Sequence, residues 1–139
     1  MTASRQVVLV VEDTNSNMML CHDLLRACGC KVVQATDGHS GWQMARAHRP
    51  NLIILDIQLP GMSGLEVLAC LKADKDLQAI PVIALTAFAM KGDEEFFLHS
   101  GFDHYISKPI SVPDFLQTVD LFLSRNSSAI LSCEGNVVR

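Results

Sequence analysis

The sequence predicts an α/β protein: a five-stranded parallel sheet with helices on both faces. Three observations carry that expectation. Short apolar runs recur along the chain, among them Val7-Val8-Leu9-Val10-Val11, Leu52-Ile53-Ile54-Leu55 and Val82-Ile83-Ala84-Leu85. Unbroken runs of this kind suit strands buried on both faces. Between them the apolar period changes to three and four residues, the mark of amphipathic helices. Strand and helix alternate five times with short connections, and parallel neighbours need such helical crossovers. Five units favour the flavodoxin-like doubly wound (βα)5 sandwich, order 2-1-3-4-5, over a six-stranded sheet.

Gln6 to Val11 is the first strand and runs straight into Glu12-Asp13. Asn15 to Cys28 forms a helix with Met18, Cys21, Leu24, Leu25 and Cys28 on its apolar stripe, and Gly29 is placed to end it. Lys31 to Ala35 is a short strand. Asp37-Gly38 turns it into a helix carrying Gly41, Met44, Ala45 and His48, which Pro50 stops. The central strand, Leu52 to Leu55, ends at Asp56. After a Pro60-Gly61 turn, Ser63 and Glu66 form a capping box that opens a helix from about Gly64 to Ala73. Pro81 to Leu85 is the fourth strand, ending in Thr86. Gly92-Asp93-Glu94-Glu95 sets acids in the first turn of a fourth helix, which suits its dipole, and Ser100-Gly101 closes it. Phe102 to Ile106 is the fifth strand and leads to Ser107-Lys108-Pro109. Ser111 and Asp114 cap the last helix, whose buried stripe is Phe115, Leu116, Val119, Phe122 and Leu123. From Asn126 the helical period fails. Residues 1–125 therefore read as one domain and 126–139 as a mostly flexible tail.

A chain of 139 residues supports a single domain with a substantial core. Apolar residues make up 49% and charged residues 19%, which excludes a disordered chain. The net charge is -4 and no basic run is present, so direct nucleic-acid binding is not expected. The apolar runs fall far short of a membrane span, and residues 1–6 are too polar to precede a secretory segment. A cytoplasmic protein with no membrane partner is the expectation. Cys21, Cys28, Cys30, Cys70 and Cys133 include no C-x-x-C, so buried reduced thiols are expected. His22, His39, His48, His99 and His104 form no cluster, and zinc is not expected.

The chemistry collects at the strand ends. Glu12 and Asp13 close the first strand, Asp56 the third and Thr86 the fourth, while Lys108 follows the fifth. In the order 2-1-3-4-5 these ends are neighbours, and open α/β sheets bind ligands there. Three carboxylates in one crevice repel unless a cation balances them. Oxygen ligands without His or Cys select a hard ion such as Mg2+, which still needs a phosphate oxygen. With the Thr86 hydroxyl and the Lys108 point charge, the set fits phosphoryl transfer onto Asp56 as nucleophile. A lone Asp closing a strand is usually only solvated. Five matched groups at neighbouring strand ends are not explained that way.

The stretches VVEDTNSN, LDIQLPGMSGLEVL, ALTAFAMKGDEE and YISKPISV resemble the receiver domain of two-component response regulators, and the likeness spans residues 6–125. The resemblance implies a single-domain regulator that takes a phosphoryl group on Asp56 from a histidine kinase or histidine phosphotransferase, with Mg2+. Its binding surface would then switch and control downstream signalling proteins. Asp13, Asp56 and the backbone carbonyl of Gln58 would ligate the metal, with Glu12 acting through water. Thr86 and Tyr105 would be the switch pair, and Lys108 would hold the phosphoryl group. The resemblance also implies a cis Lys108-Pro109 bond, a cell-cycle role, recruitment to cell poles by partner kinases, and catalysis limited to the protein's own phosphorylation and dephosphorylation. No output domain is expected after Val112–Arg125, so action is by binding. One departure is visible: receivers usually carry Asn after the acid pair, and Thr14 stands there. It touches the loop entering the first helix and not the metal ligands, so phosphorylation is expected to survive.

Three rivals are weighed on the same residues. A haloacid-dehalogenase-type phosphatase needs a second Asp two residues after the nucleophile, where this chain has Gln58. A mononucleotide or flavin module needs a loop that welcomes phosphate after the first strand, where Glu12-Asp13 would repel it. A degenerate receiver would lack some of the five functional positions, and all are present. Two further expectations concern surfaces. Gln58 and Phe88 should flank the phosphoryl group, the apolar Phe88 slowing its hydrolysis. Phe96, Phe97 and Leu98 span roughly 200° of a helix at about 100° per residue, more than one buried stripe, so Phe97 should face inward and Phe96 or Leu98 outward. Phe96, Leu98 and Tyr105 are thus the expected partner surface, with a homodimer through the fourth helix, fifth strand and fifth helix as one use of it.

Overall fold

Side chains alternate across a strand, so a strand apolar on both faces feeds two separate cores. The elements run β1 (Val7–Val11), α1 (Asn15–Ala27), β2 (Lys31–Ala35), α2 (Gly38–His48), β3 (Leu52–Asp56), α3 (Gly64–Ala73), β4 (Val82–Thr86), α4 (Asp93–Ser100), β5 (His104–Ser107) and α5 (Val112–Asn126). The computed structural model describes residues 6–87 and 93–126. Phe88, Gly92, Cys133 and the expected tail beyond Asn126 lie outside the described residues. The sheet is parallel throughout, in the order β2-β1-β3-β4-β5. This is the flavodoxin-like arrangement expected from the strand count.

Val8, Val10, Leu52, Ile54, Ile83 and Leu85 point to one face, where Met18, Cys21 and Leu25 of α1 and Phe115 and Val119 of α5 cover them. Leu9, Val11, Ile53, Leu55, Val82 and Ala84 point to the other, covered by Ala45 of α2, Val67 and Leu71 of α3 and Phe97 of α4. The two cores together make β3 and β4 buried at every position. That burial fixes the strand ends, and with them Asp56 and Thr86, in a rigid frame.

Local signals set most boundaries. Ser63 and Glu66 complete a reciprocal capping box at α3, and the Asp37 carboxylate accepts from the Ser40 N–H at α2. Gly29 ends α1 at φ +87°, a region that other residues enter at a cost. Two expectations need correction. The fifth strand starts at His104, not Phe102: the Phe102 N–H bonds back to the Phe97 carbonyl, and the Asp103 carboxylate accepts from the Val82 N–H at 2.8 Å. Phe102 is thus a buried plug behind α4. α2 ends at His48 as expected ahead of Pro50, with Arg49 capping it in the left-handed region at φ 44°. Cys28, expected on the apolar stripe, is exposed, because it caps α1 one residue past the helix's end, where the chain has left the core. Buried thiols therefore hold for Cys21 and Cys30, while Cys70 is half-buried and Cys28 exposed.

Candidate functional site

Each acidic group arrives at the crevice for a traceable reason. β1 delivers Glu12 and Asp13 by ending there, and the Glu12 N–H is tied to the Ala35 carbonyl of β2 at 3.0 Å. β3 delivers Asp56 as its last residue. Its Oδ1 accepts from the Gln58 N–H at 2.9 Å, which folds the following loop back over the carboxylate. Lys108 follows β5, and its own N–H is bonded to the Thr86 carbonyl at 2.7 Å. That bond links the ends of β4 and β5, and the next peptide, Lys108-Pro109, is cis. Thr86 is buried at the end of β4, and the half-buried Tyr105 packs with the α2-α3-α4 layer.

Charge dominates the crevice. One carboxylate oxygen each from Glu12, Asp13 and Asp56 lies within 4.8 Å of the others. Glu12 is 0% and Asp56 2% exposed, whereas Asp13 is open to solvent. Lys108 Nζ sits 2.9 Å from Asp56 Oδ2 and 3.1 Å from Glu12 Oε1. The longer approach of Nζ to Glu12 Oε2, at 3.4 Å, has hydrogen-bond geometry, while the closer one to Oε1 is an ion pair without it. Oε2 also accepts from the Thr14 N–H at 3.0 Å. The Thr14 side chain makes no capping bond to α1, so at this departure from the usual pattern the loop is held through the Thr14 N–H and not through its side chain.

Burial pushes the Asp56 carboxyl above its ordinary value, and the Glu12 charge adds to the rise. The Lys108 and Gln58 hydrogen bonds oppose it without cancelling it. Burial alone would pull the Lys108 ammonium down, but hydrogen bonds and charge from Asp56 and Glu12 outweigh that and raise it. Three carboxylates against one ammonium leave two negative charges uncompensated in a largely buried pocket. An oxygen-only donor set with a surplus of this kind fits a hard divalent cation, and the Glu12 oxygen without a hydrogen bond points the same way.

Cys21 of α1 is buried beneath this site. Burial first, and the Glu12 charge second, push its thiol up to about 12. At pH 8 about one Cys21 in ten thousand is then thiolate, the nucleophilic form. In the folded protein iodoacetamide at pH 8 is expected to modify the exposed Cys28 and spare Cys21. Cys21 should gain reactivity only near pH 12 or on unfolding. Peptide mapping after a timed exposure checks this, and equal labelling of the two would contradict the burial.

A parallel (βα)5 sandwich with an acidic crevice and a lysine at its mouth defines a class: the receivers of phosphorelay signalling. The chain belongs to the response regulator receiver domain family, whose model matches residues 8–120. It is 53% identical over 116 residues to the polar-differentiation response regulator DivK of Brucella anthropi, a match covering 84% of this chain and 94% of that protein. DivK of Brucella abortus is 52% identical over the same shares. Among solved structures it resembles the receiver domain of a sensor histidine kinase from Pseudomonas aeruginosa. That structure has a magnesium ion in its active-site cleft (TM-score 0.79, 29% identity, 87% of this chain and 99% of that one). It also resembles the receiver domain of a Luxo repressor protein from Vibrio parahaemolyticus (TM-score 0.82, 28% identity, 96% and 100%). The chain is a response regulator of two-component signalling, similar to DivK. Among the described residues no helix is long and apolar enough to cross a membrane.

Sequence reasoning assembled Glu12, Asp13, Asp56, Thr86 and Lys108, and the structure brings the first three and Lys108 into one crevice. It missed the direct ion pair between Glu12 and Lys108. The signal was available in outline: a fully buried acid at the end of β1 needs a counter-charge, and Lys108 is the cation following a nearby strand.

Proposed function

We propose that this protein accepts a phosphoryl group on Asp56 from the phosphohistidine of a histidine kinase or phosphotransferase. The observation that carries the reading is Asp56 itself: a buried carboxylate at a strand's end, oriented by the Gln58 N–H and held 2.9 Å from Lys108 Nζ. An Asp56 oxygen attacks phosphorus while the bond to the donor nitrogen breaks, and the donor imidazole leaves with that electron pair. The attacking form is the Asp56 carboxylate, which carries its own lone pair, so no general base is needed. Lys108, already between two carboxylates, can pair with the incoming phosphoryl oxygens. Asp13, Asp56 and the Gln58 carbonyl would hold Mg2+, with Glu12 acting through water. When bound there, the ion would supply positive charge to compensate the transferred phosphoryl group.

Thr86 and Tyr105 form the proposed switch pair, on adjacent strands paired in register through Ala84 and Tyr105. The proposed partner surface is Phe96, Leu98 and Tyr105: Phe97 is 4% exposed, whereas Phe96 and Leu98 are 53% and 41% exposed. Downstream signalling proteins, or a second copy, would dock on α4, β5 and α5. The relatives' name as polar-differentiation regulators supports a cytoplasmic protein recruited to cell poles by its partner kinases, in control of the cell cycle. On this reading its chemistry is confined to its own phosphorylation and dephosphorylation, residues 1–125 are the receiver, and 126–139 are an appended tail.

Incubation with acetyl phosphate and Mg2+, followed by intact-mass measurement and a free-phosphate assay, tests the reading. The expected result is one added phosphoryl group per chain. Continuous phosphate release would instead indicate a phosphatase, and an unchanged mass a partner-binding domain that needs no phosphate.

A further inference from the structure

The loop from Ile57 to Ser63 carries the Gln58 carbonyl and is exposed at Gln58, Pro60 and Gly61 and half-buried elsewhere. It is nevertheless gripped from two sides. On one side, Gly64 in the first turn of α3 donates its N–H to the Ile57 carbonyl at 3.0 Å. A Cβ there would overlap the Asp56 carbonyl and come within 2.8 Å of Ile57 Cα. On the other side, Gly38 opens α2 directly against Met62. A Cβ on Gly38 would overlap the Met62 carbonyl and come within 2.8 Å of Met62 Cβ. Both obstructions are backbone or Cβ atoms, which no rotamer change removes. Met62 itself is half-buried in the layer shared with Trp42 of α2. The loop is thus fitted between the first turns of two helices that lack side chains where they touch it.

We infer that Gly38 is a positioning residue for the metal-binding loop: by letting α2 seat against Met62, it sets where the Gln58 carbonyl and the Asp56 carboxylate stand. The inference rests on the reading of the acidic cluster as a Mg2+ site. α2 contributes no group to that site, yet its first turn bears on the loop at Met62, four residues from Gln58. A methyl group on Gly38 displaces the loop from α2, and the error is passed to Gln58 and to its hydrogen bond with Asp56 Oδ1. Groups that orient metal ligands without touching the ion typically change affinity by roughly 10- to 100-fold.

The test uses the full chain and Mg2+ alone as ligand. Gly38→Ala is expected to bind Mg2+ at least about tenfold more weakly than wild type by calorimetry. In metal-free protein its Gln58 and Gly64 amides should exchange hydrogen faster, because the loop bonds that protect them are loosened. Leu77→Ala, a buried position on the same core layer but in the α3–β4 connection at the far end of the sheet, is the stability control. It should lose stability and keep Mg2+ affinity. Should Gly38→Ala not fold, Met62→Ala removes the loop's packing from the other partner and is expected to weaken Mg2+ in the same direction. Wild-type affinity in a folded Gly38→Ala, or in Met62→Ala if that is the readable variant, overturns the inference. So does an equal loss of affinity in Leu77→Ala. Absence of Mg2+ binding by the wild type overturns the reading beneath it.

Discussion

Asp56→Asn is expected to abolish phosphoryl incorporation from acetyl phosphate while leaving the fold intact. The amide fills the same volume at the end of β3 and can still accept from the Gln58 N–H, but it is far less nucleophilic. The same variant should be more heat-resistant than wild type in metal-free buffer at pH 7. Asp56 has a raised pKa in the folded state. Its contribution to stability is therefore full below its unfolded value, near 3.8, and is lost as pH rises through the folded value. At neutral pH its ionised form is a net burden, because burial and Glu12 outweigh the pairing with Lys108. Added Mg2+ should reverse the order, stabilising wild type and leaving the variant little changed. Thermal melts with and without Mg2+ read both effects. A variant that melts well below wild type without metal would show that the ion pair outweighs the repulsion.

Lys108→Ala should have the next largest effect. It removes the ion-pair partner shared by Glu12, at 0% exposure, and Asp56, at 2%. Breaking a buried pair costs about 3–5 kcal/mol, and since the Lys108 side chain keeps 19% exposure we expect a loss on the order of 2 kcal/mol. Lys108 has a raised pKa, so its stabilisation is complete below its unfolded value of 10.5 and is lost only as pH rises through the folded one. The penalty of the substitution should then persist at pH 7 and shrink in acid as Asp56, whose pKa is raised, takes up a proton. Mg2+ should recover part of it by supplying the missing positive charge. Urea denaturation at pH 7 with and without Mg2+ decides the matter. Equal metal-free stability of variant and wild type would mean that the carboxylates do not depend on Lys108.

The residues that were legible in the sequence are those whose role is periodic or strictly local. β3 and β4 read as buried strands because both faces are apolar, and the Ser63/Glu66 box marked the start of α3 within three residues of chain. Phe97 fell inward and Phe96 and Leu98 outward because three consecutive apolar residues cannot all share one helix stripe. What failed were end effects. Phe102 looked like strand, but the carbonyl of Phe97, five residues earlier, captured its N–H. Cys28 keeps the helical period one residue past the end of α1, where the chain has left the core. Within the site, residue types at strand ends identified the acidic cluster, since the strand order brings those ends together. The Glu12–Lys108 pair spans 96 residues, and no local pattern encodes its distance. Gly38 read only as a turn residue, because the neighbour that requires it, Met62, lies 24 positions away in chain and on another loop.

The central claim is that Asp56 carries the phosphoryl group, and locating the modification tests it most directly. After acetyl phosphate and Mg2+, borohydride reduces an aspartyl phosphate to homoserine and leaves hydroxyl and imidazole phosphates unreduced. Peptide mapping is predicted to find that conversion at position 56 and to lose it in the absence of Mg2+. Homoserine at position 13, 5-hydroxynorvaline at position 12, or a borohydride-resistant phosphate elsewhere with Asp56 unchanged, would contradict the account.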